Sequence, residues 1–353
     1  VARTIFGAIL CCALLATAHA DELANSPARA GYEPTGRLLD FEARRHLDVD
    51  HGVDPMLTYV FETFAAPQLD KRMVAAGLLM LELDLALDKL VGPGWGAAYA
   101  AGLAIHGNGL TDELEDVHGV SGNVAPEDVR LFEAWFEQPI GPFTLRAGIL
   151  SADQEFLVAD HSSTLLSATF GITSQFSANA LGPVYPVGAP GASGRLEIAS
   201  VTARLAVYDG TQSNNRGIPN ELGPDALAIA ELGVYFMKVG GWHHNEHGTG
   251  IYAIADEQLD TNTGAFARIG YSADGPVNHY IDAGIRVTPH ARRPDDLASI
   301  GIAFATTPDG AQTVVEATYE LQVGWLTLQP DLQLVMLHDR TVGVVATRAT
   351  VVF

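Results

Sequence analysis

The chain has 353 residues, 48% of them hydrophobic, with 36 glycines and a formal net charge of −22. So much apolar content excludes a disordered chain, and the acidic balance excludes nucleic acid as a partner, since phosphate binding calls for a basic patch. No apolar run of about 18 residues follows the first twenty positions, which excludes a helical membrane protein.

The first twenty residues, VARTIFGAILCCALLATAHA, read as a secretory signal peptide. Arg3 is the short positive region, Ile5 to Leu15 the apolar run, and Ala18-His19-Ala20 supplies small residues at the cleavage site. Cys11 and Cys12 both fall inside it, so the mature chain would carry no disulfide. Removing Arg3 leaves 19 basic residues against 42 acidic ones, a formal charge of −23. Residues 21–52 read as a separate periplasmic or plug segment. Within it, Arg37 to Leu47 has helical spacing, with Leu38, Phe41 and Arg45 on one side.

Period-two alternation then begins and recurs to the end of the chain. Leu79, Leu81, Leu83, Leu85 and Leu87 share one face, opposed by Glu82, Asp84 and Asp88. A strand separates these two sets cleanly, whereas a helix would scatter the carboxylates around its circumference. Thr111 to Asp128 is acidic and irregular. Glu133, Trp135 and Glu137 alternate with Ala134 and Phe136, and Phe143, Leu145, Ala147 and Ile149 oppose Arg146. Ser151 to Gly194 is a long stretch rich in Ser, Ala, Gly and Pro. Loops of that length are usually functional, and two readings stay open: a loop folded into a pore, or a solvated external loop.

Further strands follow. Val201, Ala203, Leu205 and Val207 share a face, as do Leu232, Val234 and Phe236. Ile281, Ala283, Ile285 and Val287 oppose Asp282 and Arg286. Val315, Ala317, Tyr319, Leu321 and Val323 oppose Glu316, Thr318 and Glu320. After Gly324-Trp325 the parity flips, and Leu326, Leu328, Leu332, Leu334 and Met336 share a face. Such a flip is what a tight hairpin needs to keep both apolar faces on one side. Val345, Thr347, Ala349, Val351 and the terminal Phe353 complete the pattern.

Alternating strands of about ten residues on an exported chain fit a transmembrane antiparallel β-barrel, an all-β fold occupying residues 53–353. Its apolar face meets outer-membrane lipid and its polar face lines a wet lumen. A soluble β-sandwich has the same period, but the number of strands and the terminal aromatic favour the barrel.

The C-terminal half carries a resemblance. Gly250-Ile-Tyr-Ala-Ile-Ala-Asp256, Gly264-Ala-Phe-Ala-Arg268, Arg292-Arg-Pro-Asp-Asp-Leu297, Glu316-Ala-Thr-Tyr-Glu-Leu-Gln322, Trp325-Leu-Thr-Leu-Gln-Pro-Asp-Leu-Gln333 and Phe353 resemble the carbohydrate-selective outer-membrane porins of the OprB family. Gly77 to Gly92, Leu131 to Glu137 and Leu145 to Gly148 fit more loosely. The resemblance implies sixteen strands in a Gram-negative outer membrane and passive diffusion of neutral, glucose-like sugars. Porins are often homotrimers, which the resemblance allows. A general or ion-preferring porin on the same barrel is the alternative reading.

A sugar offers hydroxyls and a weakly apolar ring face, so its site pairs charged groups with aromatic rings. The inward faces supply Glu82, Asp84, Asp88, Glu133, Trp135, Glu137, Arg146, Arg268, Arg286, Glu316 and Glu320 as candidates. The acid surplus predicts a mild preference for small cations. Gly241-Trp-His-His-Asn-Glu-His-Gly248 has histidines at a helical metal spacing, but its glycines mark a turn. Asp160-His161-Ser162-Ser163 is the one local hint of an outer-membrane hydrolase, and adjacency in sequence does not make a triad. No catalytic, cofactor or metal site is expected.

Overall fold

The computed structural model describes residues 52–70, 73–211, 222–289 and 293–353. The expected signal peptide and the helix over Arg37–Leu47 lie outside them. Sixteen antiparallel strands close into a barrel, each bonded to its sequence neighbours and the first to the last. They are β1 (Val53–Ala65), β2 (Met73–Ala86), β3 (Ala97–Gly107), β4 (Asp128–Ile140), β5 (Phe143–Leu150), β6 (Ala189–Ile198), β7 (Val201–Asp209) and β8 (Ala226–Val234). The second half comprises β9 (Met237–His244), β10 (Gly248–Asp260), β11 (Thr263–Ser272), β12 (His279–Val287), β13 (Leu297–Thr307), β14 (Gly310–Val323), β15 (Leu326–Met336) and β16 (Thr341–Val352).

The alternation in the sequence sets which side chains face out. Leu81, Leu205, Ile251, Ile281, Ile302, Leu332 and Val345 lie on the outer wall, each about half exposed. Their inward neighbours are buried, as with Asp282, Ala303, Asp331 and Ala346 at 2% exposure or less. An outward apolar band over an inward polar or packed face is the arrangement a bilayer requires. Trp95, Phe136, Phe143, Tyr235 and Trp325 are exposed near the end where β1 starts and β16 stops. Aromatic rings of this kind settle at the boundary between lipid and water.

That same end carries short turns. Two residues join β4 to β5, β6 to β7, β8 to β9, β10 to β11 and β14 to β15. Gly141 (φ 60°) and Gly324 (φ 61°) open two of them with the positive φ that tight hairpins demand. The Gly324 turn pairs Gln322 with Thr327 and Val323 with Leu326, so the parity flip in the sequence is a hairpin.

Four differences from the sequence reading are physical. β2 stops at Ala86, and Leu87–Leu90 forms a short helix, α1, so Asp88 is an exposed helix residue and not a strand residue facing the lumen. The irregular stretch after β5 ends at Gly188, because Ala189–Gly194 already pair with β5. Phe236 lies in the turn after β8. Pairing of β15 with β14 lapses between Leu328 and Asp331, where Pro330 has no N–H to give.

Substituting Ile302, central in β13 and facing out, by Arg should cost about 2–4 kcal/mol of stability in a lipid bilayer. Urea unfolding in vesicles would measure it; a loss below about 0.5 kcal/mol would argue that this wall does not face hydrocarbon.

Candidate functional site

The barrel is not empty. The stretch 108–127 after β3 contains a short helix, α2 (Thr111–Leu114), and 151–188 after β5 contains α3 (Ala168–Gly171) and α4 (Ser174–Ala180). Phe156, Leu157, Phe170, Phe176 and Ala180 of the second stretch are fully buried against inward side chains such as Trp242, Ile254 and Phe266. Of the two readings of this loop, the inward one is the observed one.

Polar contacts tie this segment to strand after strand. Leu157 N–H donates to Glu231 of β8 (3.3 Å), and Lys238 of β9 donates to the Val158 carbonyl (2.9 Å). Asp160 N–H donates to Asp256 of β10 (2.5 Å), while Arg286 of β12 donates to the Asp160 carbonyl (2.9 Å). Thr164 meets Ser299 of β13, and Gln329 of β15 donates to the Thr164 carbonyl (2.5 Å). Leu166 and Ser167 N–H groups both donate to Glu316 of β14, the latter at 2.9 Å. Loop backbone has no sheet ladder of its own, so wall side chains satisfy it, as burial requires.

Arg268 is the strongest of these ties. It is 2% exposed and pairs with Asp282 through Nε (3.0 Å) and Nη2. Its remaining N–H groups reach the carbonyls of Leu157, Thr169, Phe170 and Gly171 at 2.9–3.3 Å. Tyr280 adds a hydrogen bond to Asp282 (2.7 Å). A guanidinium with its whole fork engaged holds the segment as a rigid clamp.

Glycines on the inner wall make the necessary room. A Cβ at Gly264 would sit 1.7 Å from the His161 ring, and one at Gly301 would sit 2.6 Å from Leu165 and 2.9 Å from Phe170. The first stretch docks onto the second, with Gly122 N–H to the Leu166 carbonyl (2.9 Å) and Ala168 N–H to the Gly119 carbonyl (3.0 Å). Ser121 then reaches Glu62 of β1 (2.8 Å), which also accepts from Arg348 of β16 (2.6 Å).

On β3, β4 and β5 the inner wall has another character. Tyr99 stacks on Trp135 (centroids 5.1 Å, 26° between planes), and the Arg146 guanidinium lies 3.9 Å from the same indole. Tyr99 and Arg146 belong to the strands on either side of Trp135, so the indole is held between them. Tyr99 O–H donates to Glu82 (2.6 Å). Arg146 pairs with Glu137 and with Glu155 of the inserted segment, both at 2.6 Å. Glu82, Asp84, Tyr99, Glu137 and Arg146 are all partly exposed. Here is an acid- and arginine-framed aromatic wall, chemically suited to hydroxyls and an apolar ring face.

The structure therefore divides the sequence candidates. It brings Glu82, Asp84, Trp135, Glu137 and Arg146 together on neighbouring strands. Glu133, Arg268 and Glu316 also face inward but hold the segment: Glu133 accepts the Ser151 N–H (2.8 Å). Arg286 of β12 holds it too, through the Asp160 carbonyl, and the 6%-exposed Glu320 stands apart on β14. Tyr99 and Glu155 were missed. Tyr99 is one aromatic among alanines in Ala97-Ala-Tyr-Ala-Ala101, and Glu155 lies in a stretch with no period.

Ser162 Oγ donates to the Ala159 (2.8 Å) and Phe170 (2.7 Å) carbonyls. The His161 ring points elsewhere, with Nδ1 2.6 Å from Asp256 and Nε2 3.0 Å from Gln258, so these residues form no Ser–His pair. In the Gly241–Gly248 stretch, His244 ends β9 and its Nε2 meets the Gly210 carbonyl (2.9 Å).

A model of the carbohydrate-selective porin, OprB family, matches residues 70–260 and 243–342. The chain belongs to the OprB family. The high-pH structure of Pseudomonas putida OprB is similar with a TM-score of 0.79 at 16% identity, over 88% of this chain and 96% of that one. The low-pH structure of the same protein gives 0.58 at 17% identity, over 88% and 95%. A mutant Rh. blastica porin gives 0.56 at 10% identity, over 85% and 100%. At these identities the likeness is one of fold. No curated relative matches the chain.

Two outcomes follow for the inserted segment of this OprB-family barrel. Arg268→Met strands Asp282 as a buried unpaired charge, which costs about 3–5 kcal/mol. Faster proteolysis within 156–171, with the barrel intact on a gel, would report the released clamp; unchanged protection would count against it. The hydrogen bond to Asp256 raises the pKa of His161 above its ordinary value of 6.5. The stabilisation from this pair is complete below about 6.5 and is lost as pH rises through the raised value. Amide exchange at 157–167 should accelerate beyond the intrinsic base-catalysed rate as pH rises above about 6.5, and His161→Gln should abolish that excess.

Proposed function

We propose that the barrel passes neutral, glucose-like sugars by passive diffusion across the outer membrane, with the wall on β2–β5 as the sugar contact. Membership of a carbohydrate-selective porin family supports the substrate class. The Tyr99–Trp135–Arg146 stack among Glu82, Asp84 and Glu137 is the observation that carries the site. Tyr99 offers a ring face, the carboxylates accept sugar hydroxyl protons, and Arg146 donates to sugar oxygens. Trp135, gripped on both sides, fixes their spacing. The inserted segment narrows the lumen opposite and delivers Glu155 to Arg146.

In this reading residues 1–20 direct export and are removed. The short turns face the periplasm and the longer loops face outward, as in other outer-membrane barrels. Lipid covers the outer wall, and a homotrimer is the proposed assembly. The surplus of acids gives the open channel a mild preference for small cations.

Planar-bilayer recording tests the proposal. Purified protein should form channels whose current falls as glucose is added. Tyr99→Ala should weaken that block about tenfold, equivalent to about 1.4 kcal/mol. Channels that glucose never affects, or no channels at all, would rule the proposal out.

A further inference from the structure

The arginines of the described strands differ sharply in how fully they are paired. Arg268 has its whole fork engaged, and Arg146 uses Nε, Nη1 and Nη2 on two carboxylates. Arg195 of β6 stands at the other extreme. Its nearest carboxylate, Glu197, is 3.6 Å from Nε, beyond hydrogen-bond range, and that Nε is buried with no partner. Arg204 of β7 makes one bond, Nη1 to Glu231 at 3.0 Å.

These two residues are direct cross-strand partners. Both face inward. Ser193, two positions before Arg195, reaches Glu155 of the inserted segment (3.2 Å), and Glu231, the partner of Arg204, accepts from Leu157 of that segment. Side chains directly opposite lie about 4.5–5.5 Å apart at Cβ, and like charges so placed destabilise a sheet. Both side chains keep partial exposure, 30% for Arg195 and 19% for Arg204. The wall thus holds two adjacent guanidinium forks with most of their N–H donors unused, one strand along from Arg146 of the proposed sugar contact.

An arginine fork matches a carboxylate in two parallel hydrogen bonds, and a second arginine beside it can take the remaining lone pairs. We infer that Arg195 and Arg204 form a subsite for the carboxylate of an acidic monosaccharide, so that the channel accepts sugar acids as well as neutral sugars. The inference rests on the sugar-porin reading for the ring contact, and adds the anionic group. Glu231 and Glu197 keep the pair near neutrality when no solute is present. A carboxylate arriving at Arg195 takes the Nη donors left exposed beside the buried Nε and relieves the repulsion between the two guanidinium groups.

Glucose, glucuronate and the neutral methyl ester of glucuronate separate the possibilities in planar-bilayer recordings. Wild-type channels should be blocked by glucuronate at a concentration about tenfold below that of its methyl ester, a gap that shrinks as salt screens the pair. Arg195→Gln should remove that gap and leave the glucose block unchanged, while Arg195→Lys should restore part of it. Heat-modifiable mobility on a gel confirms that each variant is folded. Equal block by the acid and its ester in the wild type overturns the subsite, whatever the variants do. So does an Arg195→Gln channel that still prefers the acid. Failure of glucose to block, with the acid–ester gap intact and lost in Arg195→Gln, would instead remove the neutral-sugar reading and leave the carboxylate subsite standing.

Discussion

Within hydrocarbon no water can pair a backbone amide, so this fold depends on the ladder that joins β1 to β16. Eight consecutive pairs, Thr58 with Val352 through Ala65 with Val345, close the sheet and leave no edge. The alternation of side chains gains its meaning from that closure. Once the sheet is a cylinder, odd and even positions become lipid and lumen. The acidic, slightly hydrophobic composition is therefore the sum of two segregated surfaces and does not describe either one.

Closure also creates an interior that must be filled or wetted. The two halves of the wall solve this differently. From β8 to β15 the inner face is carved by glycines and set with Glu231, Asp256, Arg268 and Glu316, which accept or donate to loop backbone. That half is packed like the core of a soluble protein. From β2 to β7 the inner face keeps partly exposed charges around an aromatic stack. In the proposed sugar-porin reading selectivity falls to the second half, because the first has turned its polar groups to the loop backbone.

Much of this was readable from residue order. The leucines from Leu79 onward and the Gly324-Trp325 parity flip announce strand, face and hairpin, because the strand period is strictly local. Asp88 was misread for the same reason: its parity is right, but α1 begins at Leu87, and alternation carries no stop signal there. The fate of 151–188 could not be read, since a Ser-, Ala- and Gly-rich stretch has no period. Its destination is written in the partners, such as Glu316, some 150 positions away. Arg268 and Glu316 were legible as inward residues. Whether each would meet solute or loop was not, because that depends on which stretch fills the space before them.

The docking of 151–188 also carries an order of events. The segment is made before β8–β15, yet those strands supply its hydrogen bonds. Until they have paired it has nowhere to settle, and its apolar residues Phe156, Phe170 and Phe176 stay uncovered. Such contacts between distant parts of a chain form late and slowly. Entry through the side is impossible once β1 meets β16, and the segment, tethered at the end of the barrel between β5 and β6, can then reach its place only through the open mouth. The strap is therefore made early and seated late, with the C-terminal half of the wall as the mould that gives it its shape.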